Sequence, residues 1–184
     1  MARVLVPLAQ GCEELEAVTV IDLLRRAGIE VVTAGLEAGP VTGSRGTVLV
    51  PDTTLDAVAD ETFDMVALPG GLTGATNLDA DPRLQLVLSR QAEQGRWCAA
   101  ICAAPLVLAN LGLLDGREAT SFPGALDTVK HPRIQLSEEP VITDGKVVTS
   151  RGPGTAMDFA LQLIALLAGA KRRDEVESKL MRPR

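Results

Sequence analysis

The chain has 184 residues, 46% of them hydrophobic and 23% charged, with a formal net charge of −6. That mix describes one globular domain over 1–184 and excludes a low-complexity or disordered chain. The acidic balance, with cations scattered except at Lys171–Arg173, offers no basic field to a phosphate backbone, so nucleic acid is not an expected partner.

Arg3–Leu8 is an apolar run read as a strand. It is too short for a signal h-region or a membrane span, so a cytoplasmic location without a membrane partner is expected. After Gln10-Gly11, the residues Ala17, Val20, Ile21 and Leu24 recur at i, i+3, i+4, i+7 up to Ala27-Gly28, which is the period of a helix. Glu30–Ala34 restarts a β-branched run and completes a βαβ unit with parallel, right-handed pairing. Gly39–Asp52, rich in Gly, Pro, Thr and Val, reads as a short hairpin or irregular excursion.

Asp64–Leu68 is a further apolar strand, ended by Pro69-Gly70-Gly71. Asp81-Pro82 reads as an N-cap followed by an N1 proline, with Leu84, Val87, Leu88 and Gln91 on one helical face before Gly95. Trp97–Ile101 is a strand and Pro105–Leu111 a helix stopped near Gly112. Lys146–Ser150 is a late strand. Met157, Ala160, Leu161, Ile164 and Leu167 then mark an amphipathic helix, and Arg172–Leu180 a short charged one. Strands without polar alternation, separated by helices, give an α/β protein with a parallel sheet covered on both faces.

In such sheets ligands sit beyond the carboxyl ends of the strands. Three segments fall there: 11–16, 69–71 and 102–104. Cys102 lies where a strand becomes a helix, among Ala99, Ala100, Ala103 and Ala104. Small neighbours permit the strained turn of a nucleophile elbow, and a helix N-terminus lowers a thiol pKa. The alternative is a small buried core residue. Two glycines at a strand end let backbone N–H groups approach an oxyanion, or form only a turn. Glu13, Glu14 and Glu16 open a helix, where acids are favoured by the dipole. Glu16 alone lies near the apolar face, so burial would raise its pKa and let it share a proton with a thiolate.

Cys12, beside Glu13 and Glu14, reads as a passive exposed thiol, and Cys98, inside a strand, as core. An odd count of three cysteines argues against disulfides, and with one histidine gives no zinc spacing, so no metal is expected. His131 reads as a solvated loop residue unless it folds back over Cys102.

Together, GCEELEAVTVIDLLRRAGI, LPGGLTGATNL, AAICAAP and TSRGPGTAMDFAL resemble the DJ-1/ThiJ/PfpI superfamily, in the deglycase branch and its bacterial YajL-like form, from about Val4 to Leu180. The resemblance implies a flavodoxin-like three-layer sandwich, class I glutamine amidotransferase-like, with a mostly parallel sheet, and a homodimer. It implies Cys102 as an oxidisable nucleophile, Glu16 as its carboxylic acid, and Gly70, Gly71 and the Ala103 amide as oxyanion-binding backbone. Glu13, Arg45 and the loop with Gly152 and Pro153 would face the dimer partner.

Two departures shape the expectation. PfpI-type proteases carry a histidine directly after the nucleophile, where this chain has Ala103. Animal deglycases hold another histidine near the cysteine, where this chain has Phe122. Glu16 is left as the proton-transfer candidate. The implied activity is a cofactor-free glyoxalase or deglycase acting on methylglyoxal, glyoxal and their adducts in oxidative and carbonyl stress. The alternative is a redox-sensing chaperone whose Cys102 is oxidised to sulfinic acid.

Overall fold

The computed structural model describes residues 1–182. Its elements in chain order begin with β1 (Arg3–Leu8), α1 (Glu14–Arg26) and β2 (Glu30–Gly35), followed by the short β3 (Val41–Thr42), β4 (Val48–Leu49) and β5 (Thr53–Thr54). The middle of the chain supplies α2 (Leu55–Val58), β6 (Met65–Leu68), α3 (Leu72–Ala80), α4 (Pro82–Glu93), β7 (Trp97–Ile101) and α5 (Pro105–Asn110). The last part gives β8 (Glu118–Ala119), β9 (Gln135–Leu136), β10 (Val141–Asp144), β11 (Val147–Ser150), α6 (Ala156–Ala168) and α7 (Ala170–Glu177).

Seven strands form one sheet in the order β10-β11-β7-β6-β1-β2-β5. All its neighbours pair parallel except β10 with β11. Branched apolar runs are buried on both sides, so the sheet carries a core on each face. One core packs Ala17, Val20 and Leu24 of α1 against Phe159, Ala160, Leu163 and Ile164 of α6. The other packs Leu78 of α3, Leu84 and Leu88 of α4 and Val107 of α5. Three layers result, as the sequence led one to expect. Pairing of Leu68 with Ala100 and of Ser150 with Ile101 brings the carboxyl ends of β6, β7 and β11 flush.

Local chemistry explains most boundaries. The Asp81 side chain accepts from the amides of Arg83 and Leu84 and caps α4, with Pro82 at its first position. The C-terminus of α1 is closed by Arg172, whose Nε donates to the Ala27 carbonyl at 2.8 Å. A cation there complements the helix dipole and ties α7 to α1.

Three features differ from the sequence reading. Helix α3 was not anticipated, because LTGATNLDA has little apolar periodicity. It forms by closing on the β1–α1 loop, where a Cβ on Gly74 would stand 2.6 Å from the Cys12 Cα. The buried face of α6 keeps Ala160, Leu161 and Ile164 of the expected set and is widened by Phe159 and Leu163, while Met157 is exposed. The exposed-edge strand β10 and the β8–β9 ladder carry too few apolar residues to announce themselves. Among the described residues no helix is long and apolar enough to cross a membrane.

Candidate active site

The end of β7 turns into α5 through Cys102, whose φ is +64°. A non-glycine residue in the left-handed region is strained by about 1–3 kcal/mol and persists only where the surroundings fix it. Both peptide groups of Cys102 are fixed. Its N–H donates to the Ser150 carbonyl at 3.0 Å, and its carbonyl accepts from the Phe122 N–H at 2.8 Å. The turn is completed by the Ala104 N–H on the Ile101 carbonyl at 3.0 Å. The residue is buried, 8% exposed.

Glu16 arrives from the first turn of α1 and is 0% exposed. Its Oε2 accepts the Gly70 N–H at 2.8 Å. Its Oε1 is buried with no partner of normal geometry, and the Cys102 thiol is the side-chain group that interacts with the carboxyl. Burial pushes this carboxyl up to about 7, against the pull of the Gly70 amide and the thiol. Gly70 is what allows the approach. A Cβ there would lie 2.6 Å from the Cys102 Cβ and 2.7 Å from Glu16 Oε2, so no side chain fits between acid and thiol.

The Cys102 thiol is pushed up to about 12, first by burial and then by the negative charge of Glu16, while the Gly71 and Ala103 amides pull the other way. This corrects the expectation of a thiolate made by a helix end. Helix α5 has only six residues, and Cys102 precedes its N-cap, Ala104. A short dipole one residue removed does not outweigh desolvation. The two acids repel each other's charge, so the pair loses one proton readily and holds the second strongly.

A second correction concerns the oxyanion-binding backbone. The Gly70 N–H is engaged by Glu16, which leaves the amides of Gly71 and Ala103, both directed at the sulfur. Gly70 positions the acid rather than the substrate.

The sequence reading treated Glu14 as part of a charged helix start, but it is a clamp. Its carboxylate accepts from the Arg45 amide at 2.9 Å, the Thr47 amide at 3.2 Å and the Ser44 hydroxyl at 3.1 Å. Burial acts upward on its pKa, yet its own amide and those of Thr47 and Arg45, with the Ser44 hydroxyl, hold the carboxyl down at about 2. Only a glycine admits this approach, since a Cβ on Gly43 would stand 2.6 Å from the Glu14 carboxyl.

The remaining candidates are placed as follows. Glu13 is half-buried and accepts from Ser44 Oγ at 2.9 Å, while the Arg45 side chain is exposed on the β3–β4 hairpin. Pro153 is half-buried, and Gly152 is buried against the Phe122 ring. Cys98 is core, as expected. The expectation for Cys12 is overturned: it is 0% exposed, because α3 and the hairpin close over it, the Ser44 amide bonding its carbonyl at 2.7 Å. Burial, then Glu14, pushes its thiol up to about 11. His131 sits in a turn, its amide on the Asp127 carbonyl at 2.9 Å, and no hydrogen bond among the described residues links it to Cys102. Among the described residues no group of three or more His, Cys, Asp or Glu side chains is arranged to hold a metal ion.

Comparison with known proteins gives one consistent picture. The DJ-1/PfpI family model matches residues 2–166. The chain is 43% identical over 178 residues to protein dj-1beta of Drosophila melanogaster, covering 96% of this chain and 95% of that protein. It is 33% identical over 175 residues to glutathione-independent glyoxalase DJR-1.2 of Caenorhabditis elegans, covering 95% of this chain and 92% of that one. Among solved structures, oxidized Toxoplasma gondii DJ-1 superposes with a TM-score of 0.93 at 38% identity, covering 100% of both chains.

Proposed function

The chain belongs to the DJ-1/PfpI family, and from that premise we propose that it is a cofactor-independent glyoxalase with Cys102 as nucleophile and Glu16 as general base. One observation carries the reading: a fully buried carboxyl is anchored by one oxygen to Gly70, and its other oxygen has no partner of normal geometry. Its pKa of about 7 suits a group that takes and returns a proton near neutral pH. The relative named as a glutathione-independent glyoxalase supports the assignment.

The steps follow from the groups at hand. Glu16 takes the Cys102 proton as the sulfur adds to the aldehyde carbon of methylglyoxal, so no resting thiolate is required. The aldehyde oxygen becomes an oxyanion that the Gly71 and Ala103 amides receive, and it then accepts the proton to give a hemithioacetal. Glu16 next removes the proton on the former aldehyde carbon and delivers it to the neighbouring carbonyl carbon, while the hydroxyl proton of the hemithioacetal passes to the neighbouring oxygen, so the first carbon becomes the thioester carbonyl and the second carries the hydroxyl. The product is a 2-hydroxy thioester. Water releases the hydroxy acid and restores the thiol, so oxoaldehyde plus water gives 2-hydroxy acid without an external oxidant. Attack by the same sulfur on a glycated thiol or amine is the deglycase form of this chemistry. The test is turnover of methylglyoxal by wild type and by Cys102→Ser; equal rates would remove Cys102 from the mechanism.

A second reading is favoured by the same unpartnered Oε1. A protonated Glu16 can donate to a sulfinate on Cys102, which suits a redox sensor or oxidation-regulated chaperone. The related Toxoplasma structure described as oxidized accords with it. Selective gain of two oxygens at Cys102 after mild peroxide, with no oxoaldehyde turnover, would favour this reading.

The reading includes a cytoplasmic homodimer. Leu15 and Val18 on α1, with Val48 and Val50 at the hairpin, are exposed apolar groups on the elements that carry Glu13 and Arg45, which supports a partner surface there. Phe122 in place of histidine is the feature that favours the bacterial branch of the family.

A further inference from the structure

Aromatic side chains are scarce in this chain, which has three phenylalanines, one tryptophan and no tyrosine. Phe63 and Phe159 are fully buried, one in each core, and Trp97 lies at the opposite, amino-terminal end of β7 beneath Lys146. Phe122 is the exception, 50% exposed, and its place is specific. Its N–H is bonded to the carbonyl of Cys102 itself. Its own carbonyl accepts from the Ala125 amide at 2.9 Å and from Ser121 Oγ at 3.0 Å. The ring edge rests on Gly152, where a Cβ would lie 3.4 Å from Phe122 Cδ2.

The backbone of Phe122 is therefore pinned on both sides, and its ring is braced by a residue with no side chain of its own. Gly152 follows the strand end that holds the Cys102 amide through Ser150. The backbones of the nucleophile, of Phe122 and of the strand end before Gly152 are hydrogen-bonded to one another, so the attachment point of the ring is held relative to Cys102. An aromatic side chain left half in water, on the residue whose amide is bonded to the nucleophile's own carbonyl, has a chemical use. It can stack on a flat group carried by the molecule that the nucleophile attacks. It can neither take nor give a proton, so its contribution is selection rather than proton transfer.

We propose that Phe122 is the substrate-selecting wall of this site, favouring oxoaldehydes whose second carbonyl carries a flat aryl group over those carrying a methyl. The inference rests on the glyoxalase reading above for its substrate class, but the wall itself can be tested without turnover. Two measurements are made on wild type, Phe122→Ala and Phe122→Leu. The first is the ratio of kcat/KM for phenylglyoxal to that for methylglyoxal. The second is the ratio of Cys102 alkylation rates with N-phenyl iodoacetamide and with iodoacetamide, read by mass spectrometry of the intact protein.

Loss of a stacking partner predicts that both ratios fall about five- to tenfold in Phe122→Ala. Phe122→Leu, which keeps apolar bulk without a π face, falls between the two. Ratios that are unchanged in both variants, or that rise because a steric block has been removed, would overturn the proposal. If wild type turned over neither oxoaldehyde, the glyoxalase reading would fail, and the alkylation ratio alone would still decide whether the ring selects. Because the side chain is half exposed and its backbone bonds survive substitution, both variants are expected to fold; thermal unfolding verifies this.

Discussion

Replacing Glu16 by glutamine separates the electrostatics of the buried acid from its shape. The glutamine amide oxygen still accepts the Gly70 N–H, but there is no proton to lose. In the folded protein the Glu16 carboxyl stands at about 7 rather than its ordinary 4.5, burial being the main cause. Since each pKa unit corresponds to about 1.4 kcal/mol, the folded state is penalised by about 3 kcal/mol once the carboxyl is ionised in both states. The sign follows from proton binding. Below about pH 4.5 folded and unfolded chains both hold the proton, and the penalty is absent. It grows between about pH 4.5 and 7, where the unfolded chain ionises first, and is constant above. Urea unfolding of wild type and Glu16→Gln at about pH 4.5 and pH 8.5, at matched protein concentration, reads this directly. The stability of the variant relative to wild type should improve by about 3 kcal/mol from the lower pH to the higher. An identical difference at both pH values would refute the claim that this carboxyl is held in a medium hostile to its charge.

Gly70→Ala places a methyl 2.6 Å from the Cys102 Cβ and 2.7 Å from the Ile101 carbonyl. Backbone must move, costing about 1–3 kcal/mol of stability, and the displaced sulfur should be alkylated at least about tenfold more slowly; a wild-type alkylation rate would contradict this. Glu14→Ala leaves the Arg45 and Thr47 amides and the Ser44 hydroxyl without their acceptor. A loss of about 2–4 kcal/mol is expected, with faster hydrogen exchange at Arg45 and Thr47, and unchanged exchange there would show that the clamp does not hold the hairpin. Its carboxyl is lowered to about 2, so in wild type its stabilisation is complete above the ordinary carboxylate range and fades as the pH falls toward that value. Hairpin exchange followed into acid should then accelerate only at the low end.

Much of the scaffold was legible because its signals are local. The β1, α1 and β2 elements announce themselves through a continuous apolar run, a helical period and a β-branched restart, and α4 through Asp81-Pro82. Helix α3 was hidden because its stability comes from closing on Cys12 through Gly74, a contact between segments about sixty positions apart in sequence, rather than from its own apolar face. Burial of Cys12 was hidden for the same reason. Glu16 could be singled out by its phase on α1, whereas Glu14, two residues earlier, could not, since its partners belong to a hairpin whose closure the sequence does not encode locally. The thiol was misjudged on a matter of magnitude. A strand-to-helix turn suggested a strong dipole, but α5 is short and desolvation is the larger effect.

The central claim is that Glu16 and Cys102 share one proton and that Glu16 takes it when the sulfur attacks. The pH dependence of Cys102 alkylation by iodoacetamide, in wild type and in Glu16→Gln, addresses it most directly. The account predicts a wild-type rate that rises with a midpoint near 7, where Glu16 becomes a base, and a variant whose rise moves above the ordinary thiol range, because burial still holds the proton on a thiol that must ionise unaided. Superimposable profiles would mean that the acid does not govern the sulfur, and the mechanism built on the pair would be wrong.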